Sequence, residues 1–106
     1  MIDPGRLKTR LAVQAPVETD DGQGGVTRGF VTMALVWAAL LPSAARRDVE
    51  ADADGASVRV RVILRRGLEL TLQHRLVDGP RVYRIVTMRE VDDGRFVEIE
   101  AEMRVA

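Results

Sequence analysis

Apolar and polar positions alternate along most of this chain with a period of two, the spacing of strands that bury one face. In a first arm Leu7, Leu11 and Val13 are separated by Arg6, Lys8, Arg10 and Gln14. Asp20-Asp21-Gly22-Gln23-Gly24-Gly25 then breaks the pattern: glycines allow positive φ and aspartates bond nearby backbone, so a loop is predicted. The second arm, Phe30 to Leu41, is twelve residues of nearly uniform apolarity. That is short of the about 20 needed to span a bilayer as a helix, and it predicts core rather than membrane. Trp37 is accordingly expected to be a core anchor whose indole N–H finds an acceptor.

Beyond Pro42 the pattern changes. The run from Ala44 to Gly55 permits a short helix, with Ser43 as a cap and Arg46 spaced four residues from Glu50. Its arginines, however, lie towards the N-terminus and its aspartates towards the C-terminus, against the helix dipole. The expectation is a long inter-strand loop, about 43–56, mobile in the free chain and ordered against a partner. From Ser57 alternation returns, with Val58, Val60, Val62 and Leu64 on one face and Arg59, Arg61, Ile63 and Arg65 on the other. Leu68 to Leu72 is a shorter alternating piece of either type. Leu76-Val77 leads into an Asp78-Gly79-Pro80 turn, and Val82 to Met88 is strand-like. Asp92-Asp93-Gly94 predicts a hairpin, because Asp-Gly suits the type I′ turn. The last arm points Val97, Ile99, Ala101 and Met103 inward and Glu98, Glu100 and Glu102 outward.

Five or six strands joined by short turns predict an all-β antiparallel domain over residues 1–106, without internal repeats. So small a sheet leaves open edges unless it closes, so a compact β-barrel is expected.

Composition narrows the partners. Sixteen basic and sixteen acidic residues cancel, which disfavours a protein devoted to neutralising nucleic-acid phosphates. Fifteen of the sixteen basic residues are arginine, the residue suited to two-pronged carboxylate pairing, although arginine-rich codon usage explains the bias as well. There is no cysteine, so disulfides and thiolate metal sites are excluded. The first residues lack the basic region and apolar run of a secretory signal, so the chain is expected to act in the cytoplasm.

Candidate chemistry is thin. His74, the single histidine, has Gln73 and Arg75 as neighbours and reads as structural. Asp20-Asp21 and Asp92-Asp93 each precede a glycine and read as turn residues rather than cation ligands. The Gly22 to Gly25 loop lacks the Lys-Ser/Thr of a phosphate cradle. No catalytic residue, metal site or cofactor is predicted, and the chain is not expected to be an enzyme. Two charged faces stand out instead, Arg59, Arg61 and Arg65 against Glu98, Glu100 and Glu102. On neighbouring strands they would form a cross-strand ladder. At opposite ends of the subunit they would form a head-to-tail interface that closes a ring. A free-standing nucleic-acid-binding barrel is the rival reading, disfavoured because Phe30, Trp37, Tyr83 and Phe96 are the entire aromatic supply.

The ordered set Gly5-Arg6-Leu7, Arg10, Gln14, Pro16, Gly24-Gly25-Val26-Thr27-Arg28, Val36-Trp37-Ala38, Leu40 and Pro42 resembles the phage head-tail joining proteins. These are also called head closure or stopper proteins, and gene transfer agents have relatives of them. The resemblance resumes at Val58 to Arg65 and at Gly79-Pro80-Arg81-Val82-Tyr83-Arg84-Ile85. The chain departs from it at Phe30, where many relatives carry tryptophan, at Arg65-Arg66, which lacks an intervening aromatic residue, and at His74, where aspartate is expected. The resemblance implies a homo-oligomeric ring in the neck of a virion or virus-like particle, assembled in the bacterial cytoplasm. The ring would join the DNA-filled head to the tail and help close the DNA channel. Its neighbours would be the portal or adaptor ring on one side and the tail terminator or tail tube on the other, with packaged DNA as a possible contact. Another neck ring, such as the terminator, is the alternative. The resemblance also assigns channel gating to the long loop, hence to Arg46, Arg47, Asp48, Glu50, Asp52 and Asp54.

Overall fold

A computed structural model describes residues 2–42 and 56–105 of the 106-residue chain. The expected helix and gating loop beyond Pro42 lie outside the described residues. Six strands follow a 3-10 turn at Pro4–Arg6: β1 (Thr9–Asp20), β2 (Val26–Pro42), β3 (Ala56–Arg65), β4 (Arg75–Asp78), β5 (Arg81–Val91) and β6 (Phe96–Val105). All pairings are antiparallel, and the order β1-β2-β3-β6-β5-β4 closes into a barrel when β4 pairs with β1. The predicted small antiparallel barrel is therefore the observed fold, and closure removes the edges that a sheet of this size would expose.

Alternation sets the interior. Leu11 and Val13 of β1, Val62 and Leu64 of β3, Leu76 of β4, Tyr83 and Ile85 of β5, and Ile99 and Ala101 of β6 are buried together with Ala38. Each large apolar side chain among them contributes on the order of 1.5–3 kcal/mol by leaving water. Leu68 and Leu70, in the alternating piece of open type, are not in a strand. They are half-buried against this core on the segment that links β3 to β4.

A second, smaller core lies outside the barrel wall. Gly5 N–H donates to Asp3 Oδ1 at 2.9 Å, fixing the N-terminal turn. Leu7 then packs with Ala39, Ile63 and Phe96, and half-buried Ile2, Leu41 and Val91 join them. This cover explains why an isoleucine stands among the arginines on the outer face of β3.

The β5–β6 hairpin turns at Asp92-Asp93-Gly94, where the sequence suggested. Asp92 and Asp93 both have positive φ, 54° and 57°, and Gly94 N–H donates to the Val91 carbonyl at 3.2 Å. Arg95 N–H donates to the Asp92 carbonyl at 3.1 Å, so Asp92-Asp93 and Asp93-Gly94, with Gly94 at φ 78°, are the central pairs of two overlapping I′-like turns. In the β1–β2 loop, Asp20 and Asp21 act as predicted: their carboxylates accept from Gly22, Gln23 and Gly25 N–H at 2.7–3.1 Å.

The β1–β2 hairpin outgrows the barrel. β4 reaches β1 only from Ala12 to Gln14, and β3 reaches β2 only from Ala38 to Pro42. Farther out, Ala15–Asp20 of β1 pairs with Val26–Val31 of β2 and with no other strand among the described residues. Six residues at about 3.4 Å each make an arm of about 20 Å beyond the barrel. A register shift between Val13 and Gln14 marks its root.

Candidate assembly surfaces

The two charged faces are neighbours. In the β3–β6 ladder Arg59 stands opposite Glu102, Arg61 opposite Glu100, and Ile63 opposite Glu98. The ladder arrangement is the one adopted, and the placement at opposite ends of the subunit is corrected by this register. Arg61 Nη1 donates to Glu98 Oε1 at 3.0 Å, and Arg59 Nε lies 3.7 Å from Glu102 Oε2. Arg65 stays outside the acidic row, with its guanidinium 5.9 Å from the centroid of the Phe96 ring.

β5 supplies arginines that the sequence reading did not assign. Arg84 Nη2 donates to Glu102 Oε1 at 3.2 Å, and Arg89 Nε donates to Glu98 Oε2 at 2.7 Å. Only the register of a third strand brings them there, which no spacing within β3 and β6 could reveal. Glu98 is 9% exposed and held from both sides. The Arg89 hydrogen bond is the largest influence holding its carboxyl below the ordinary value; burial opposes it, and the Arg89 charge and the Arg61 bond and charge add to the lowering. Arg61 Nε is buried without a hydrogen-bond partner, so Arg61 grips Glu98 from one nitrogen only.

Trp37 is not the expected core anchor. It is 52% exposed, with Arg10 stacked 4.9 Å from its centroid. Ala38 occupies the inward phase, so Trp37 must point outward, and it borders a shallow cleft with Pro4, Leu7, Lys8 and Arg65. The apolar run before it is likewise surface: Phe30 and Val31 are exposed on the part of the hairpin that neither β3 nor β4 reaches, Met33 is exposed at the register shift, and Leu35 is exposed because it faces outward opposite Ala12.

Directly opposed residues of an antiparallel pair share a face. Leu11, Val13, Leu76 and Tyr83 point in, so the register Leu35–Ala12–Val77–Val82 runs across the outside of four strands. Leu35 is 58% and Val82 41% exposed, so this is an uncovered apolar row. On the arm, Ala15 opposes Val31 and Val17 opposes Gly29, on the face that continues the barrel interior. Beside the row, Arg75 stands opposite Arg84. Arg75 Nε donates to Gln14 Oε1 at 2.7 Å and its guanidinium lies 3.8 Å from the Phe30 ring centroid.

The remaining candidates resolve simply. His74 Nδ1 accepts from Thr71 N–H at 2.9 Å, which closes a local turn. Among the described residues no cluster of His, Asp and Glu has the make-up of a metal site. Arg46, Arg47, Asp48, Glu50, Asp52 and Asp54 lie outside the described residues.

Comparisons with known proteins agree with this geometry. Residues 2–104 match the family model described as phage head completion protein. No curated protein matches the chain. Among solved structures, the fold is similar to a chain in the virion of a native gene transfer agent particle, with a TM-score of 0.75 and 22% identity over 92% of this chain and 94% of that one. It is also similar to the solution structure of protein SF1141 from Shigella flexneri 2a, with a TM-score of 0.73 and 21% identity over 96% of each chain.

Proposed function

The chain belongs to the phage head completion protein family and is a structural component of the head–tail neck of a phage-like particle; from that premise we propose that it assembles there as a homo-oligomeric ring. The ring sits between the portal or adaptor on the head side and the tail terminator or tail tube on the other, and helps to close the DNA channel. It acts by contact rather than by catalysis, a reading supported by the engagement of His74 in a local turn and of both aspartate pairs in loops.

The observation that carries the ring is the uncovered apolar surface of a barrel that is otherwise closed. Closed barrels have no need of a partner to complete their sheets. Leu35, Trp37 and Val82 nevertheless stand at the surface on the outer face of the β2–β1–β4–β5 wall. A contiguous apolar surface of this kind marks an interaction site. The nucleic-acid alternative gains nothing from the arginines of β3 and β5, because Arg59, Arg61, Arg84 and Arg89 are engaged by Glu98 and Glu102.

Particle fractionation tests the proposal. Particles made without this chain are expected to be DNA-filled heads that lack tails and lose their DNA, and the tagged chain is expected to sediment with tailed particles. Tailed particles of normal yield in its absence would overturn the neck role.

A further inference from the structure

The arm and the barrel wall carry opposite charge. Residues 16–30 hold Glu18, Asp20 and Asp21 against a single Arg28, a net charge of −2. The chain outside the arm and outside residues 43–55 holds thirteen basic and nine acidic residues, a net charge of +4. The wall has a particular place for an acidic visitor. Arg75 and Arg84 are directly opposed across β4 and β5, and Arg84 has its charge met by Glu102 at 3.2 Å, whereas Arg75 does not share that carboxylate. Among the described residues Arg75 has no carboxylate within ion-pair distance; its side chain is held by the neutral Gln14 amide and the Phe30 ring. The apolar row Leu35–Ala12–Val77–Val82 runs alongside this pair.

The arm also has the matching apolar face. Ala15, Val17 and Val31 continue the inward-facing side of the barrel past the point where an opposite wall exists. The face that is core in the stem is therefore uncovered in the arm. Within the arm Arg28 lies 3.3 Å from Glu18, a solvent-exposed pair that leaves the tip's net charge negative, and a second copy of this chain offers an apolar wall with Arg75 beside it.

Resting on the ring reading above, we propose that copies associate head to tail, the arm of one lying across the barrel wall of the next. Val17 and Val31 pack on the Leu35–Ala12–Val77–Val82 row, and the acidic tip of Glu18, Asp20 and Asp21 meets Arg75. Donor and acceptor surfaces are different parts of the molecule, so the contact is heterologous and repeats from copy to copy until it closes. The ladder residues Glu98 and Glu102 keep their own arginines throughout, so the interface is on the β1–β4–β5 wall and not on the β3–β6 rows.

Because the chain has no cysteine, an introduced pair reports this contact cleanly. Full-length chain carrying both Val17→Cys and Val82→Cys, concentrated and mildly oxidised, is expected to give a ladder of disulfide-linked oligomers on a non-reducing gel. Each single variant gives no ladder. A product that stops at the dimer would mean a self-complementary contact and would overturn the head-to-tail arrangement. A folded double variant that forms no linked product would overturn the contact altogether. About 1 M salt, where the screening length falls to about 3 Å, is expected to reduce the ladder several-fold. Arg75→Ala should do the same, and a ladder indifferent to both would remove the tip–arginine pairing. The neck role is judged on particles and this contact on the isolated chain, so either can fail alone.

Discussion

At the stem of the β1–β2 hairpin Leu11 and Val13 are fully buried beside Ala38, whereas a few residues outward Val17, Val31 and Phe30, no less apolar, stand at the surface. The two regions share a hairpin, a backbone ladder and a residue composition. They differ in what lies across from them: the stem has β3 and β4 as neighbours and a filled interior, and the arm has only its own partner strand. The stem's apolar residues act on folding, and the arm's have no such task within one chain. A two-stranded ribbon is marginal alone, so this arm depends on the barrel for its shape and contributes little to it in return.

The largest expected effect sharpens that division. Leu64→Ala in the barrel should cost about 2–5 kcal/mol, seen as a lower denaturant midpoint at unchanged slope. A loss below about 1 kcal/mol would mean that the barrel interior is not the stabilising core.

Next comes Glu98→Gln, which leaves Arg61 and Arg89 without their shared carboxylate. Both arginines are partly in water, so the loss should be about 1–2 kcal/mol near neutral pH. The carboxyl has a lowered value in the folded chain, so its contribution is complete above the unfolded value of about 4.3. It fades as pH falls through the folded value. Acid titration of stability should therefore bring wild type and variant together, and a gap that persists in acid would contradict the pairing.

Gly94→Ala should cost about 1 kcal/mol, because φ at this residue is 78° and alanine is strained there. Thermal melts of the two chains measure it, and an unchanged midpoint would argue against the left-handed turn. The smallest change belongs to the arm: Val31→Ala is expected to stay within about 0.5 kcal/mol of wild type. A core-sized loss there would erase the contrast between arm and stem.

Much of the barrel was legible in the sequence. Alternation at Val60–Leu64 and Val97–Met103 identified core positions correctly, while Val58 at the start of β3 is 39% exposed, because period two records burial only where one side of a strand is covered. The charge ladder was legible as one of two arrangements, and only register chose between them. What the pattern could not carry was coverage. Phe30 to Leu41 reads the same whether it faces a core or a partner, and its exposure follows from where β3 and β4 stop pairing. Trp37 misled because a uniformly apolar run hides strand phase: Ala38 takes the inward position and Trp37 the outward one. Arg89 and Arg84 were missed because their carboxylates lie on a strand whose alignment depends on a bulge between Ile85 and Thr87.

The central claim, that the barrel is the frame and the arm the assembly device, is tested most directly by excision. Ala15 and Val31 are paired in register, so a two-residue Asn-Gly turn can replace residues 16–30 between them. The shortened chain should fold with a denaturation midpoint close to that of the full chain, and it should be lost from tailed particles when it is the only copy supplied. An excised chain found in tailed particles at the wild-type level, or one that fails to fold, would contradict the account.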